Sequence, residues 1–518
     1  MKRRGFLKLS AGAGIATGIG AGALIIGRAQ ATATGGQPLP LPPVLDLDAG
    51  GGALIEARAG RHAFYEGGAK GATLGYSLDY LGPVLRARRG TSARITLGNR
   101  HSDPITSHWH GLHVPGHLDG GPQSFVTPGG TLEQELEIDQ PAGTYWYHTH
   151  THHQTAEQAY MGLASFFLIE DPDAPDPGLP SELGIDDLPL AIQDKSFTRN
   201  GEIRYSSGGM AMMNGVKGDG IVVNGALRPV ATVPGGLVRL RLLNGSNARI
   251  YHLFFEDGRG FHQVASEGGL LMAPVALNRL TLAPGERAEI VVDFAKGATR
   301  LLSANDNNSM MGGMMGGLMS SVMGGDDPDY VRGAEGFEIL SFQIDPDRKP
   351  ARTTLPRSFA GAPSGDLPDP VARRRISLEM MGGMMGGGGG MMGGGMMGGM
   401  MGGGDDDAPG PFSINGRPFD PNRIDVEARL NTTELWEIVT DGMAHPFHVH
   451  GTSFKVLSVD GQTKDFATTG FKDTVLVQQR AEILVPFNRP AGRDAPFMFH
   501  CHILEHEDNG MMGQMTVA

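Results

Sequence analysis

Apolar and polar positions alternate in short runs along most of this chain. The clearest runs are 93–97, 131–138, 238–243, 288–294, 434–439 and 482–487. Gly, Pro, Asn or Asp closes nearly every one. A period of two presents alternate side chains to opposite faces, which is the signature of a half-buried strand. Runs with helical period are scarce. Many short strands between frequent turn residues predict an all-β body built of β-sandwiches.

The pattern also repeats. The segments RARRGTSARITLGNR (86–100), PGGLVRLRLLNGS (234–246) and EARLNTTELWEIVTDG (427–442) each lead into a strand that ends near Asn, Gly or Asp. A second strand follows in each unit: GGTLEQELEI (129–138), GERAEIVVDF (285–294) and QRAEILVPF (479–487). Three copies of one sandwich, at 44–172, 185–346 and 371–518, account for this economically. The outer copies each carry two His-x-His segments. The middle copy has only the scattered His252 and His262, so it is expected to be structural.

Two stretches leave the pattern. Residues 309–325 hold six Met among Gly and Ser, and residues 380–404 hold ten Met and otherwise Gly. Neither has a period that packs as strand or helix, and backbone entropy on this scale favours a loop. Such loops either capture soft metal or serve as low-complexity spacers.

Composition narrows the function classes. Lys2-Arg3-Arg4 opens the chain, a mildly apolar Gly/Ala-rich stretch follows, and Ala29-Gln30-Ala31 offers a cleavage site. Residues 1–31 therefore read as a twin-arginine export signal, which carries proteins already folded. The expected location is periplasmic or otherwise exported, with no stable membrane insertion after cleavage. Without residues 1–31 the chain holds 38 basic against 56 acidic residues, a charge near −18. That balance excludes nucleic acid as a natural partner. The single Cys501 cannot form an internal disulfide, so it is either a small core residue or a needed thiolate.

Its neighbours favour the thiolate. Ten of the 18 His fall in four clusters: His108 with His110, His148 with His150, His445 with His448 and His450, and His500 and His502 with His506. In a strand each His-x-His pair puts two imidazoles on one face. Eight such imidazoles, converging between the outer copies, would hold three metal ions as two plus three plus three. Cys501 faces away from His500 and His502. With His445, His506 and Met511 it completes two imidazoles, a thiolate and a weak thioether, the blue-copper donor set. Closed structural zinc sites take four ligands, often several Cys, and do not match a set this large.

HWHG (108–111), YWYHTH (145–150), HPFHVHG (445–451) and HCHILEHEDNGMM (500–512) together resemble the four copper-binding signatures of multicopper oxidases. HWHGLHVPGHLDGGPQ, IDDLPLAIQDKSF and the Met-rich insert narrow the resemblance to bacterial copper-efflux oxidases, which act on Cu(I). It covers nearly all of 44–518. The resemblance implies three cupredoxin-like Greek-key β-sandwich domains, the third carrying the Met/Gly-rich insert. It implies four copper ions per chain. His445, Cys501, His506 and axial Met511 would bind the type 1 ion, and His108 with His448 the type 2 ion. His110, His148 and His502 would bind one type 3 ion, and His150, His450 and His500 the other. Asp119 and Glu507 match positions that supply protons. Asp441, Met443 and Met380 match a docking site for substrate Cu(I). The second Asp of that site is absent here, where Gly-Gly-Met-Met stands instead.

Cu(I) and O2 are thus the expected substrates and a monomer the expected state. A laccase-like oxidase of phenols or aromatic amines shares every copper ligand. A non-enzymatic copper-binding protein is the third reading, and its mark would be missing ligands.

Overall fold

The computed structural model describes residues 36–47, 52–306, 308, 336–380, 411–440 and 442–518. Residues 1–31, expected above to be an export signal, Asp441, the Met-rich stretch 309–325 and the Met-rich residues beyond Met380 lie outside them. Among the described residues no helix is long and apolar enough to cross a membrane.

Six sheets form three pairs in chain order. In the first pair, strands Gly71–Tyr76, Ala53–His62, Thr91–Asn99 and Thr131–Ile138 make one sheet, and Val44–Asp46, Val84–Arg88, Ala164–Glu170 and Gly143–His148 the other. The repeat seen in the sequence is a repeat of register. Ala53–His62 runs parallel to Thr91–Asn99, Asp187–Lys195 to Leu237–Asn244, and Ala372–Met380 to Thr432–Thr440. In each copy the later strand then pairs antiparallel with the second strand of the repeat: Thr131–Ile138, Arg287–Asp293 and Arg480–Phe487. Non-sequential strand order of this kind is Greek-key connectivity. The fold is all-β, three cupredoxin-like sandwiches, each around its own apolar core.

Burial follows from place. Thr131–Ile138 alternates between exposed and buried positions, as expected of a strand with one wet face. Gly143–His148 is buried at every residue. One of its faces packs in the first core, where Tyr145 and Tyr147 sit. The other is covered by the neighbouring sandwiches, and Thr144 donates to Glu289 Oε1 of the middle one (2.6 Å). Arg241 of the middle sandwich crosses the same junction to Thr144 Oγ1 (3.1 Å) and is held by a two-pronged contact to Asp187 of its own sheet (2.7 Å to each oxygen). Buried charges persist only when paired in this way.

Candidate metal centres

Four short segments bring the ten clustered His together. His108 and His148 pair as an isolated bridge, and His148 ends strand Gly143–His148. In the third sandwich His445–Val449 lies antiparallel to Phe497–Cys501, which sets His448 opposite His500 and Phe447 opposite Cys501. The helix Leu504–Asp508 follows at once and carries His506 and Glu507. All ten imidazoles are buried.

Eight of the rings crowd into one site between the first and third sandwiches. His150 Nε2 and His450 Nε2 lie 3.3 and 3.1 Å from His500 Nε2. His110 Nδ1 lies 3.4 Å from His148 Nε2, and the His502 ring centroid is 5.1 and 5.4 Å from theirs. The His108 and His448 rings are 5.7 Å apart. Donor atoms of His150, His450 and His500 fall within 4.8 Å of one another, and so do those of His108, His110 and His148 and of His108, His448 and His450.

Six of the eight imidazoles have the outer nitrogen tied down. Nδ1–H of His108 donates to Asp119 O (2.9 Å), of His448 to Asp473 O (2.8 Å), of His148 to Thr149 O (2.7 Å), and of His500 to Cys501 O (3.0 Å). His450 Nδ1–H donates to Asp119 Oδ2 (2.6 Å) and His110 Nε2–H to Asp473 Oδ1 (3.0 Å). These bonds fix each tautomer and leave the other nitrogen a lone pair. The inner Nε2 atoms of His108 and His448, and both ring nitrogens of His502, have no hydrogen-bond partner although buried. Orphaned buried polar atoms are costly, and a cluster of inward lone pairs with anchored outer edges is what metal ions require.

The second site lies on the other face of Cys501. Its Sγ is 3.3 Å from His445 Nδ1 and 3.7 Å from His506 Nδ1, and those two nitrogens are 3.3 Å apart. His506 Nε2–H donates to Met213 O (3.1 Å), which turns Nδ1 inward, and Phe412 stacks on the ring at 4.2 Å. Met511 is fully buried. Its carbonyl accepts from Cys501 N (3.1 Å) and its N–H donates to His506 O (2.9 Å), so its backbone spans both donors. Cys501 is bonded through the chain to His500 and His502, so the two sites are covalent neighbours.

The electrostatics suit cation binding. Burial first, then neighbouring imidazoles, holds His110, His148, His448, His450 and His506 well below the usual range. Burial lowers His445 and His502 to about 3 and His150 to about 4. These rings are therefore neutral at pH 7, the form that ligates metal. Burial pushes the Cys501 thiol up. A bound cation reverses that preference by taking the proton's place.

Asp119 and Glu507 both lie at the crowded site. Asp119 Oδ1 has no partner, and the Glu507 carboxylate sits 3.1 Å from His500 Nδ1 and 3.4 Å from His150 Nδ1. Met443 is buried in the third core and Met380 packs against it, whereas Asp441 lies outside the described residues. His152 is half-buried, its ring 5.0 Å from that of Phe419.

Asp473 escaped the sequence. It accepts from His110, its carbonyl accepts from His448, and Arg287 of the middle sandwich grips both its oxygens (2.8 and 2.6 Å). Asn308 is a second case. Its amide exchanges two hydrogen bonds with Ala444, next to His445 (2.9 Å each). The middle sandwich thus buttresses both sites through Arg287, Met213 and Asn308.

Two family models described as multicopper oxidase match residues 60–174 and 397–518. A multicopper oxidase (mco) of Staphylococcus haemolyticus is 36% identical over 471 residues, which is 90% of this chain and 88% of that one. A protein of Yersinia pestis named cell division protein FtsP is 37% identical over 478 residues, covering 90% and 91%. The solved structure of CueO of Ochrobactrum sp., described as a bacterial laccase-like multicopper oxidase with oxidase activity towards lignin model compounds and lignosulfonate, is 37% identical. It covers 93% of this chain and 100% of its own, with a TM-score of 0.79.

Proposed function

This chain belongs to the multicopper oxidase family, and on that premise we propose that it oxidises Cu(I) with O2 in copper tolerance outside the cytoplasm. The balance is four Cu(I), one O2 and four protons giving four Cu(II) and two waters. A relative named for cell division shares the fold, so fold alone does not assign chemistry. The donor set carries it: every expected ligand position is filled, and the inward nitrogens either face one another or, at His108, His448 and His502, have no partner.

Four copper ions fit these donors. His445, Cys501, His506 and Met511 would hold the mononuclear ion, and His108 with His448 the type 2 ion. His110, His148 and His502 would hold one type 3 ion, and His150, His450 and His500 the other. Bound copper would supply one-electron acceptance at the mononuclear site and multi-electron delivery to O2 at the other. The residues do the rest. Asp119 and Asp473 lock imidazole tautomers, and Cys501 joins the sites through its own backbone. The free Asp119 Oδ1 and the Glu507 carboxylate hold and pass protons inward. Burial of all ten imidazoles keeps bulk water from the reduced site.

Support for Cu(I) as reductant is the placing of thioethers. Met443 lies two residues before His445, and Met380 packs on the same core. Asn308, which clamps Ala444, immediately precedes the Met-rich sequence 309–325. Thioethers are soft donors and suit Cu(I). The laccase-like reading keeps weight because the Ochrobactrum relative is described as acting on lignin model compounds. Oxygen uptake with Cu(I) and with a phenol, measured side by side, separates the readings. Faster Cu(I) turnover is expected. Phenol turnover well above Cu(I) turnover would make the chain a laccase, and uptake with neither would make it a non-enzymatic protein.

A further inference from the structure

We propose that Glu267 of the middle sandwich balances charge at the crowded site during oxygen reduction. Its carboxylate takes one proton from water when the site gains electrons, and returns it when the site passes them to O2. The inference rests on oxygen reduction by this chain, and not on which reductant feeds it.

Glu267 is placed by a tight junction. It follows strand Phe261–Ser266, in a turn pressed against Phe471–Lys472 of the third sandwich. Gly268 N donates to Phe471 O (2.9 Å), and so does Ser266 Oγ (2.8 Å). A side chain at Gly268 would overlap Phe471, so glycine is what lets the two segments come this close. The Glu267 side chain is thereby sealed from solvent. Five charged groups meet there. Lys472 Nζ donates to Glu267 Oε1 (2.9 Å) and lies 3.1 Å from Glu286 Oε1. Glu267 Oε1 also accepts from Arg287 N (3.2 Å). Arg287 in turn grips Asp473, which holds His110 and His448. Glu267 thus reaches the copper ligands through Arg287 and Asp473.

Lys472 and Arg287 face Glu267, Glu286 and Asp473, so full ionisation leaves this group with one negative charge in excess. Tyr145 beside Arg287 adds none, because burial pushes its hydroxyl up to about 12. The excess falls to Glu267. Its Oε2 is buried without a hydrogen-bond partner, whereas Glu286 Oε2 accepts from Ala283 N (2.7 Å) and Arg287 holds both Asp473 oxygens. A buried carboxylate oxygen without a donor is costly, and a proton on it removes that cost. Burial, opposed by Lys472 and reinforced by Asp473 and Glu286, pushes the Glu267 carboxyl up to about 7. Cations at the neighbouring site favour the carboxylate, and electrons added there favour the acid. Proton and electron binding are then linked, each strengthening the other. Lys472 is 18% exposed and marks the edge where the proton enters from water.

Proton uptake by the copper-loaded full-length protein, followed during anaerobic electrochemical reduction in weakly buffered solution, tests this. E267Q keeps the shape of the side chain and both hydrogen bonds accepted at Oε1, but it has no carboxyl to protonate. Between about pH 6 and 8 it should take up about one proton fewer per chain than the wild type, with the blue band retained. K472Q removes the ammonium that opposes protonation, so its uptake should persist but move about one unit to higher pH. Uptake in E267Q equal to that of the wild type throughout this range overturns the role. Should E267Q fail to load copper, K472Q decides, and an unshifted profile overturns the role equally. A loaded wild type that accepts electrons but does not pass them to O2 sinks the oxidase reading, while its uptake set against that of E267Q still judges Glu267.

Discussion

At the scale of single residues, the sharpest test is Cys501. Replacing it by Ser removes the only thiolate while keeping the size of the side chain. Cys501→Ser should lose the intense visible thiolate absorption and turnover together, and turnover that survived would remove Cys501 from the electron path. Asp473 makes a different prediction. It orients His110 and His448 from outside and touches neither His445 nor Cys501. Asp473→Asn should lower copper affinity of the crowded site or activity by about 10–100-fold. Copper counted per chain should fall while the blue band stays, and loss of both together would assign Asp473 a general folding role. The two residues also differ in legibility. The His pairs and Cys501 are readable because strand alternation acts over two residues. Asp473 reaches His110 across 363 positions and Arg287 across 186, and no local pattern encodes such a meeting.

At the scale of elements, the second Met-rich stretch sits in a tractable place. Strand Ala372–Met380 pairs antiparallel with Phe412–Ile414, and Met380 stands opposite Phe412. The residues between connect adjacent strands, so a two-residue Asn-Gly turn can replace 381–411 without breaking the ladder. That replacement should lower Cu(I) oxidation and leave or raise phenol oxidation, since Phe412 stacks on His506 beside it. Oxygen uptake with each substrate reads this out. Phenol turnover that fell while Cu(I) turnover held would reverse the role of the insert. Strands were the readable elements: the run at 131–138 coincides with Thr131–Ile138, and 238–243 lies within Leu237–Asn244. The helices Met210–Asn214 and Leu504–Asp508 are too short to show a period of 3.6, and their positions are set by tertiary contacts such as that of Met213 with His506.

At the scale of the whole molecule, the middle sandwich shows why domain roles are harder to read than folds. It lacks His pairs, which fits a structural part, yet it sends Arg287, Met213 and Asn308 to the sites of its neighbours. Sequence similarity between copies reveals shared architecture, while contacts between copies depend on how their surfaces meet. The same joint burial fixes the response of the copper-free chain to acid. Ten His are held below their usual range, with His445 and His502 at about 3 and His113, His150 and His152 at about 4, chiefly by burial. Between about pH 4 and 6.5 the unfolded chain binds protons at these rings and the folded chain does not, so their contribution to stability falls as pH falls. Asp186, Glu267, Glu505 and Asp508 are raised by burial and act in the opposite direction, Glu267 and Glu505 up to about 7. Ten imidazoles against four carboxylates decide the sign. The urea midpoint of the copper-free chain should drop steeply from pH 6.5 towards 4. A midpoint that held or rose on acidification would mean that these imidazoles reach water without copper, and the dry, inward-facing site argued for above would have to be abandoned.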